Sequence, residues 1–210
     1  MNKDLPNIIP IFPLSGIIYF PKTNLPLNIF EQRYIDLVND CIKNKGYMGM
    51  VQSKKNSTDV YDIGCLGKIS DHKKNKDGRI MINLSGISRF EIKSEVNNNK
   101  LYREFNVDYE KFKDDEASIF LDVIEKDNID LLFNKSKFFF RKCGLLINWN
   151  EFKNLEQDQQ INTLAMIAPV SNEEKQTLLE SLSINKKIKT LLEIIEFYLH
   201  EKDSDNITLQ

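Results

Sequence analysis

Histidine and cysteine are scarce in this chain. Two histidines, His72 and His200, and three cysteines, Cys41, Cys65 and Cys143, are spread through 210 residues. The cysteines are odd in number, far apart and form no C-x-x-C pair. That spacing fits buried thiols in a reducing cytoplasm better than a disulfide framework or a zinc site. Two histidines are too few for a His-rich metal centre, so no metal is expected. No apolar run reaches the roughly 18 residues of a membrane span. The first residues, MNKDLPNIIPIF, are interrupted by Asp4, Pro6 and Pro10 and do not read as a signal peptide. Strong charge of either sign is also missing. A net charge of −2 and an isoelectric point near 5.8 offer no global attraction to nucleic acid or anionic lipid. The expectation is a cytoplasmic protein with no membrane contact.

Catalytic motifs are wanting as well. No G-x-S-x-G elbow occurs. The nearest approach to a phosphate-binding loop is Gly64-Cys65-Leu66-Gly67-Lys68-Ile69-Ser70. It has two residues between its glycines where four are needed, Ile69 where Ser or Thr should reach Mg²⁺, and it falls in a strand pattern. No catalytic residue and no cofactor is therefore assigned.

What is present is a β-rich first half and a helical second half, an α+β chain. The stretch IPIFPLSGIIYFPKTNLPLNIFEQRY, Ile9 to Tyr34, holds three short apolar runs: Ile9–Phe12, Ile17–Phe20 and Leu25–Phe30. Pro13, Gly16, Pro21 and Pro26 break them, which predicts short strands with forced corners. Glu31 to Lys43 has helical spacing, with Tyr34, Leu37, Val38, Cys41 and Ile42 on one face and Gly46 as a stop. Strands are expected at Tyr47–Gln52, Ile63–His72, Arg79–Leu84, Ile87–Val96 and Leu101–Tyr109. Asp77-Gly78 supplies a hairpin signal, and Gly86 a bulge or bend.

Near Lys113–Glu116 the apolar period changes from two to about 3.6. A helix is predicted from Ala117 to Cys143, with Phe120, Val123, Ile124, Leu131 and Phe138 on one face and Gly144 ending it. Ile161–Ala168 follows, ended by Pro169. Ser171 and Glu174 form a capping box for a helix turning Leu178, Leu179 and Leu182 inward. Ile184, Ile188, Leu191, Leu192, Ile195 and Tyr198 mark a last amphipathic helix. The divisions read from this are 1–113, β-rich; 114–201, helical; and 202–210, a flexible tail.

Three separated motifs resemble the N-terminal, substrate-recognition domain of the Lon protease family in its free-standing bacterial form. The opening stretch is similar to FPL-x-G-x-x-x-FP … LPL-x-IFE-x-RY. Gly64–Ile69 is similar to G-x-x-G-x-I. Asp77-Gly78-Arg79, leading to Leu84-Ser85-Gly86-Ile87-Ser88-Arg89-Phe90, is similar to DGR … L-x-G-x-x-RF. In the helical half, Leu164–Pro169 and Glu174–Glu180 also look like the free-standing members, so the resemblance covers about residues 8–200. Departures are Lys22 where glycine is usual, Asn28 where histidine is common, and Gln32 where proline often opens the helix. The resemblance implies a PUA-like pseudo-barrel with one inserted helix, then a helical bundle. It also implies recognition of polypeptides in protein quality control, without the ATPase and Ser–Lys modules of full Lon.

The expected function is thus non-enzymatic binding of exposed or extended polypeptide segments, a protease or chaperone being a further partner class left open. Asn28, Phe30, Arg33 and Tyr34 are the candidate groove residues, set against a purely structural strand–helix corner held by Glu31 and Arg33. Phe138-Phe139-Phe140 spreads three rings around a helix, so at least one is exposed unless covered; packing between the lobes is the plainer account. RNA binding through the PUA-like lobe is the alternative, suggested by a basic tip at His72, Lys73, Lys74 and Lys76 and opposed by the acidic balance. A hydrolase, suggested by the family name alone, comes third.

Overall fold

In the computed structural model, which describes residues 5–55, 57–116 and 126–205, the chain divides into two compact units, residues 1–119 and 120–210. In the first, β1 is Ile8–Leu14 and β2 is Asn24–Ile29. The middle apolar run, Ile17–Phe20, is not a strand. Ile18, Tyr19 and Phe20 are buried at 0–2% exposure, yet the backbone here is irregular. Hydrogen bonds at its end tie the chain to Thr23 and Gly86. The Lys22 N–H donates to Gly86 O (3.0 Å), Gly86 N–H donates to Thr23 O (2.9 Å), and the Thr23 hydroxyl donates to Phe20 O (2.7 Å).

Helix α1, Gln32–Lys43, follows β2, and β3 is Tyr47–Gln52. Tyr34, Leu37, Val38 and Cys41 are its buried residues, as the spacing predicts. Gly46 sits at φ +80 and donates its N–H to Cys41 O, a left-handed stop that glycine makes without strain. Strand β4 is Ile63–Lys74, β5 is Ile80–Val96 and β6 is Glu104–Asp108. The two strands expected on either side of Gly86 are one strand of 17 residues. Gly86 marks a register shift within it, and a Cβ added there would lie 2.2 Å from Phe20 O. The glycine therefore admits the buried Ile18–Phe20 segment; it does not end the strand.

Strand β5 organises the unit. Its first half pairs with β2, its second half with β6, and both halves with β4. Sheet order β2-β5-β4-β3-β1-β6, with β6 returning to β5, closes a pseudo-barrel and leaves β2 outside the ring. Ile9, Ile11, Leu66, Phe90 and Phe105 fill its core. Within β4, Gly64 and Gly67 serve close packing: a Cβ would meet Val51 and Leu84 side chains at 2.5 and 2.4 Å. Arg89 forms a two-pronged pair with Asp115 of the 3-10 stretch Glu110–Glu116 (2.6 and 2.9 Å), both side chains at 10% exposure or less.

The second unit holds α2 (Lys126–Lys142), α3 (Trp149–Phe152), α4 (Gln157–Ile167), α5 (Asn172–Glu180) and α6 (Ile184–Asp205). Phe120, Val123 and Ile124 lie outside the described residues. Leu131 and Phe138 do share a face of α2, but it is the outward one, at 43% and 47% exposure. The buried face is Ile129, Leu132, Phe139 and Phe140. Leu182 likewise is exposed, because α5 ends at Glu180 before reaching it. The capping box of α5 forms as predicted, with Glu174 N–H on the Ser171 hydroxyl (3.2 Å) and Ser171 N–H on the Glu174 carboxylate (2.8 Å).

Candidate functional site

The four candidate groove residues fall where β2 runs into α1. Along β2, alternation buries Leu25 and Ile29 and exposes Asn24, Pro26 and Asn28. The alternation continues past the strand, so that Phe30 stands 67% exposed. A single exposed phenylalanine is ordinary; it becomes informative where another apolar side chain shares its face. Strand register sets its neighbours. Asn28 lies opposite Met81, and Met81 lies opposite Lys73, so the three occupy one row across β2, β5 and β4. Met81 is 51% exposed. On the next row Pro26, Asn83 and Asp71 are aligned in the same way.

Beyond β2 no further strand is paired among the described residues, so its outer edge is open. Pro26 stands in the middle of that edge and has no N–H to donate, a common guard against strand addition. The side-chain face is thus the better-presented surface, with Phe30 and Met81 as its apolar members.

Arg33 lies at this corner, half exposed. Its guanidinium donates to the Glu31 carboxylate at 2.8 and 3.0 Å and lies 4.4 Å over the Tyr34 ring. Glu31 occupies the N-cap position of α1, but makes no capping bond. Its carboxylate is engaged by Arg33 instead. Tyr34 is 7% exposed, edge-on to Phe12 with ring centroids 4.3 Å apart. Burial pushes its hydroxyl above the ordinary tyrosine range, with Arg33 acting in the opposite sense. The structure therefore brings Asn28, Phe30 and Arg33 to the surface and places Tyr34 in the core beneath Arg33. Met81 had no functional signal in the sequence. Its exposure follows from strand alternation, but only the register puts it beside Asn28.

The β4–β5 hairpin arm borders this face. His72, Lys73, Lys74, Lys76 and Arg79 are exposed on it. Arg79 is paired with Asp77 at 2.6 Å, and the hydrogen bond from Arg79 holds the Asp77 carboxyl below its usual range. On the helical unit, Phe138 lines a cleft of about 440 Å³ with Leu131, Lys135, Glu196 and Leu199. Phe139 and Phe140 are buried, the former near Tyr198 and the latter stacked on Trp149. Among the described residues no group of three or more His, Cys, Asp or Glu could hold a metal, and no helix is long and apolar enough to cross a membrane. Cys41 and Cys65 are buried and Cys143 is partly exposed.

Known proteins share this fold. The family model for the ATP-dependent protease La (LON) substrate-binding domain matches residues 8–196. Among curated relatives, a Lon protease of Buchnera aphidicola is 25% identical over 198 residues, covering 90% of this chain and 25% of that protein. A Lon protease of Flavobacterium johnsoniae is 27% identical over 208 residues, covering 93% and 24%. The chain thus spans about a quarter of the length of these relatives. Among solved structures, a Lon N-terminal domain protein from Xanthomonas campestris has the same fold, with a TM-score of 0.66 at 21% identity, covering 88% of this chain and 96% of that one. The N-terminal domain of a Lon protease from Mycobacterium avium complex matches with a TM-score of 0.65 at 12% identity, covering 90% and 98%. The matched residues, motifs and fold agree, and the chain belongs to the family of Lon substrate-binding domains.

Proposed function

We propose that the chain binds exposed or extended segments of other polypeptides and carries no chemistry of its own. The observation behind this reading is the pair of exposed apolar side chains, Phe30 just past the end of β2 and Met81 on β5, with Asn28 opposite Met81. Strand residues such as Asn28 and Met81 are held by the sheet register, which lowers the ordering cost of binding a flexible segment. The family match supports substrate recognition, and it lies wholly within a substrate-binding domain. In this reading the chain acts in the cytoplasm, in protein quality control, handing captured segments to a protease or chaperone.

A second reading, RNA binding, rests on the exposed lysines of the hairpin arm. Two tests separate them. Capture from cytoplasmic extract, with and without nuclease, is expected to recover unfolded or nascent polypeptides in both arms. Anisotropy with a labelled, unstructured apolar peptide is expected to show a loss of about tenfold or more for Phe30→Ser with Met81→Ser. Retention of peptide binding by that variant removes the face from the reading. Recovery of RNA-dependent material alone overturns the reading itself.

A further inference from the structure

We infer that the face built by Phe30 and Met81 selects extended polypeptide segments whose apolar residues are flanked by carboxylates. The inference rests on the polypeptide-binding reading and names the substrate class for it.

The charge of the chain is unevenly placed. Residues 68–79 hold Lys68, Lys73, Lys74, Lys76 and Arg79 against Asp71 and Asp77, so 5 − 2 = +3 within a chain of net −2. The remainder carries −2 − 3 = −5. This basic segment is the hairpin arm, and the arm adjoins the apolar face. Lys73 is directly in the row Asn28–Met81–Lys73. Arg79 is exposed two positions before Met81, outside the strand end. Lys74 lies opposite Ile80, and Lys76 is in the turn.

The ion pairs decide which of these charges are open to a partner. Arg79 is engaged by Asp77 and Arg33 by Glu31. Asp71 accepts a hydrogen bond from the His72 N–H. Lys73, Lys74 and Lys76 have no carboxylate within salt-bridge distance among the described residues. Lys74, opposite the buried Ile80, belongs to the other face of the arm, so the open charges beside the apolar patch are Lys73 in the strand and Lys76 in the turn. A segment that seats one or two apolar side chains on Phe30 and Met81 brings its neighbouring residues over the arm. Carboxylates there meet open ammonium groups; lysines there meet repulsion.

The same arrangement disfavours a polynucleotide. A phosphate backbone carries a charge at every nucleotide. On this face the Glu31–Arg33 and Asp77–Arg79 pairs offer it no net charge and Asp71 repels it, whereas a polypeptide can place its few carboxylates only where lysines wait. Both arginines at the site are already committed to carboxylates, and arginine is the usual bidentate partner of phosphate.

The test uses the full chain and three labelled, unstructured peptides with one apolar core, flanked by Glu, by Gln or by Lys. The Glu-flanked peptide is expected to bind about fivefold to tenfold more tightly than the Gln-flanked one, since exposed pairs each contribute little and two or three act together. The gap should shrink as salt is raised. The variant K73E with K76E is expected to reverse the order of the Glu- and Lys-flanked peptides; both side chains are exposed, so circular dichroism should match the parent. Equal binding of all three peptides, or an unreversed order in the variant, overturns the inference and leaves polypeptide binding standing. If no peptide binds while a single-stranded RNA oligomer does, both fall.

Discussion

Seven of the eight glycines and five of the six prolines lie in residues 1–119; residues 120–210 have Gly144 and Pro169 alone. The two units are specified differently. In the β unit, backbone meets neighbour at glycines: a Cβ would come within 2.2–2.6 Å of other atoms at Gly49, Gly64, Gly67 and Gly86. In the helical unit, Gly144 faces open space, and its φ of +74 merely ends α2. There the structure depends on interleaved side chains such as Phe139, Leu164 and Leu191, all fully buried. The difference teaches where each unit is vulnerable. The β unit fails when chain cannot approach chain, and the helical unit when a side chain or a helix end is lost.

The largest expected effect tests an exception inside the β unit, its buried ion pair. Asp115→Ala leaves the Arg89 guanidinium without its two-pronged partner and is expected to cost about 3–5 kcal/mol. Hydrogen exchange of β4 and β5 would register it. Trp149, the sole tryptophan, sits in the helical unit and reports that unit alone. An equal shift of Trp149 fluorescence would merge the two units into one cooperative block. Next comes Gly86→Ala, expected to cost about 3 kcal/mol, because the obstructing atom is the Phe20 carbonyl and not a flexible side-chain tip. Gly144→Ala should cost about 1 kcal/mol, from the left-handed backbone alone. Equal costs at both glycines would break the contrast.

The same division governed what the sequence could reveal. Alternation along β5 puts Ile80, Ile82 and Leu84 on the inner face and Met81 on the outer one, and Ser171 with Glu174 announced a capping box. Local rules sufficed for these because each depends on residues close in the chain. Ile17–Phe20 was missed because an apolar, β-branched run reads as a strand. What removes it from the sheet is Gly86, distant in sequence. Which face of α2 is buried was not legible, because 131 and 138 are seven apart and share a side whether it is buried or exposed. At the candidate site, Phe30 and Asn28 were legible from β2 alone. Tyr34 was legible in two ways at once. Helical spacing puts it on the buried face of α1 with Leu37, Val38 and Cys41, while its place beside Glu31 and Arg33 made it a groove candidate; burial is what the structure shows. Met81 and Lys73 needed the register.

Alkaline pH should pull the units in opposite directions. In the β unit, burial first, then the neighbouring Asp40, pushes the Cys41 thiol up to about 12 from 9.0. Burial and a hydrogen bond to Asp40 push the Tyr102 hydroxyl up to about 12 from 10.0. Both raised values mean that the unfolded chain deprotonates first. Their stabilisation is intact below about pH 9 and is lost between about 9 and 12, by up to about 1.4 kcal/mol per pH unit for each group. In the helical unit, burial lowers Lys175 from 10.5, so the folded state sheds its proton first and stability rises with pH towards that value. Near pH 10 the β unit should weaken in hydrogen exchange while the Trp149 transition holds or strengthens. Parallel loss in both would sink the assignment. A smaller effect, about 1 kcal/mol, is expected of Ser171→Ala, which removes the α5 cap and should move the Trp149 transition alone.

The smallest effect is a gain. Phe20–Thr23 is a tight turn with Pro21 at its second position and Lys22 at its third, where φ is +60. A type II turn requires positive φ at that position and favours glycine there. Lys22 is the one non-glycine residue at positive φ among the described residues, and it stands where glycine is usual in the Lon-like pattern. Its N–H is held by Gly86 O, so the turn cannot relax without releasing β5. Lys22→Gly removes strain of roughly 1–2 kcal/mol from the folded state, and the greater freedom of glycine in the unfolded chain offsets about half of it. The expected outcome is a stabilisation of about 0.5–1 kcal/mol in denaturant unfolding, confined to the β unit. Adding Gly86→Ala should cancel the gain, since both changes act on one turn and contacting sites are not additive. Independent, additive effects would show that the turn and β5 are not coupled, and that the β unit is less backbone-determined than its glycines imply.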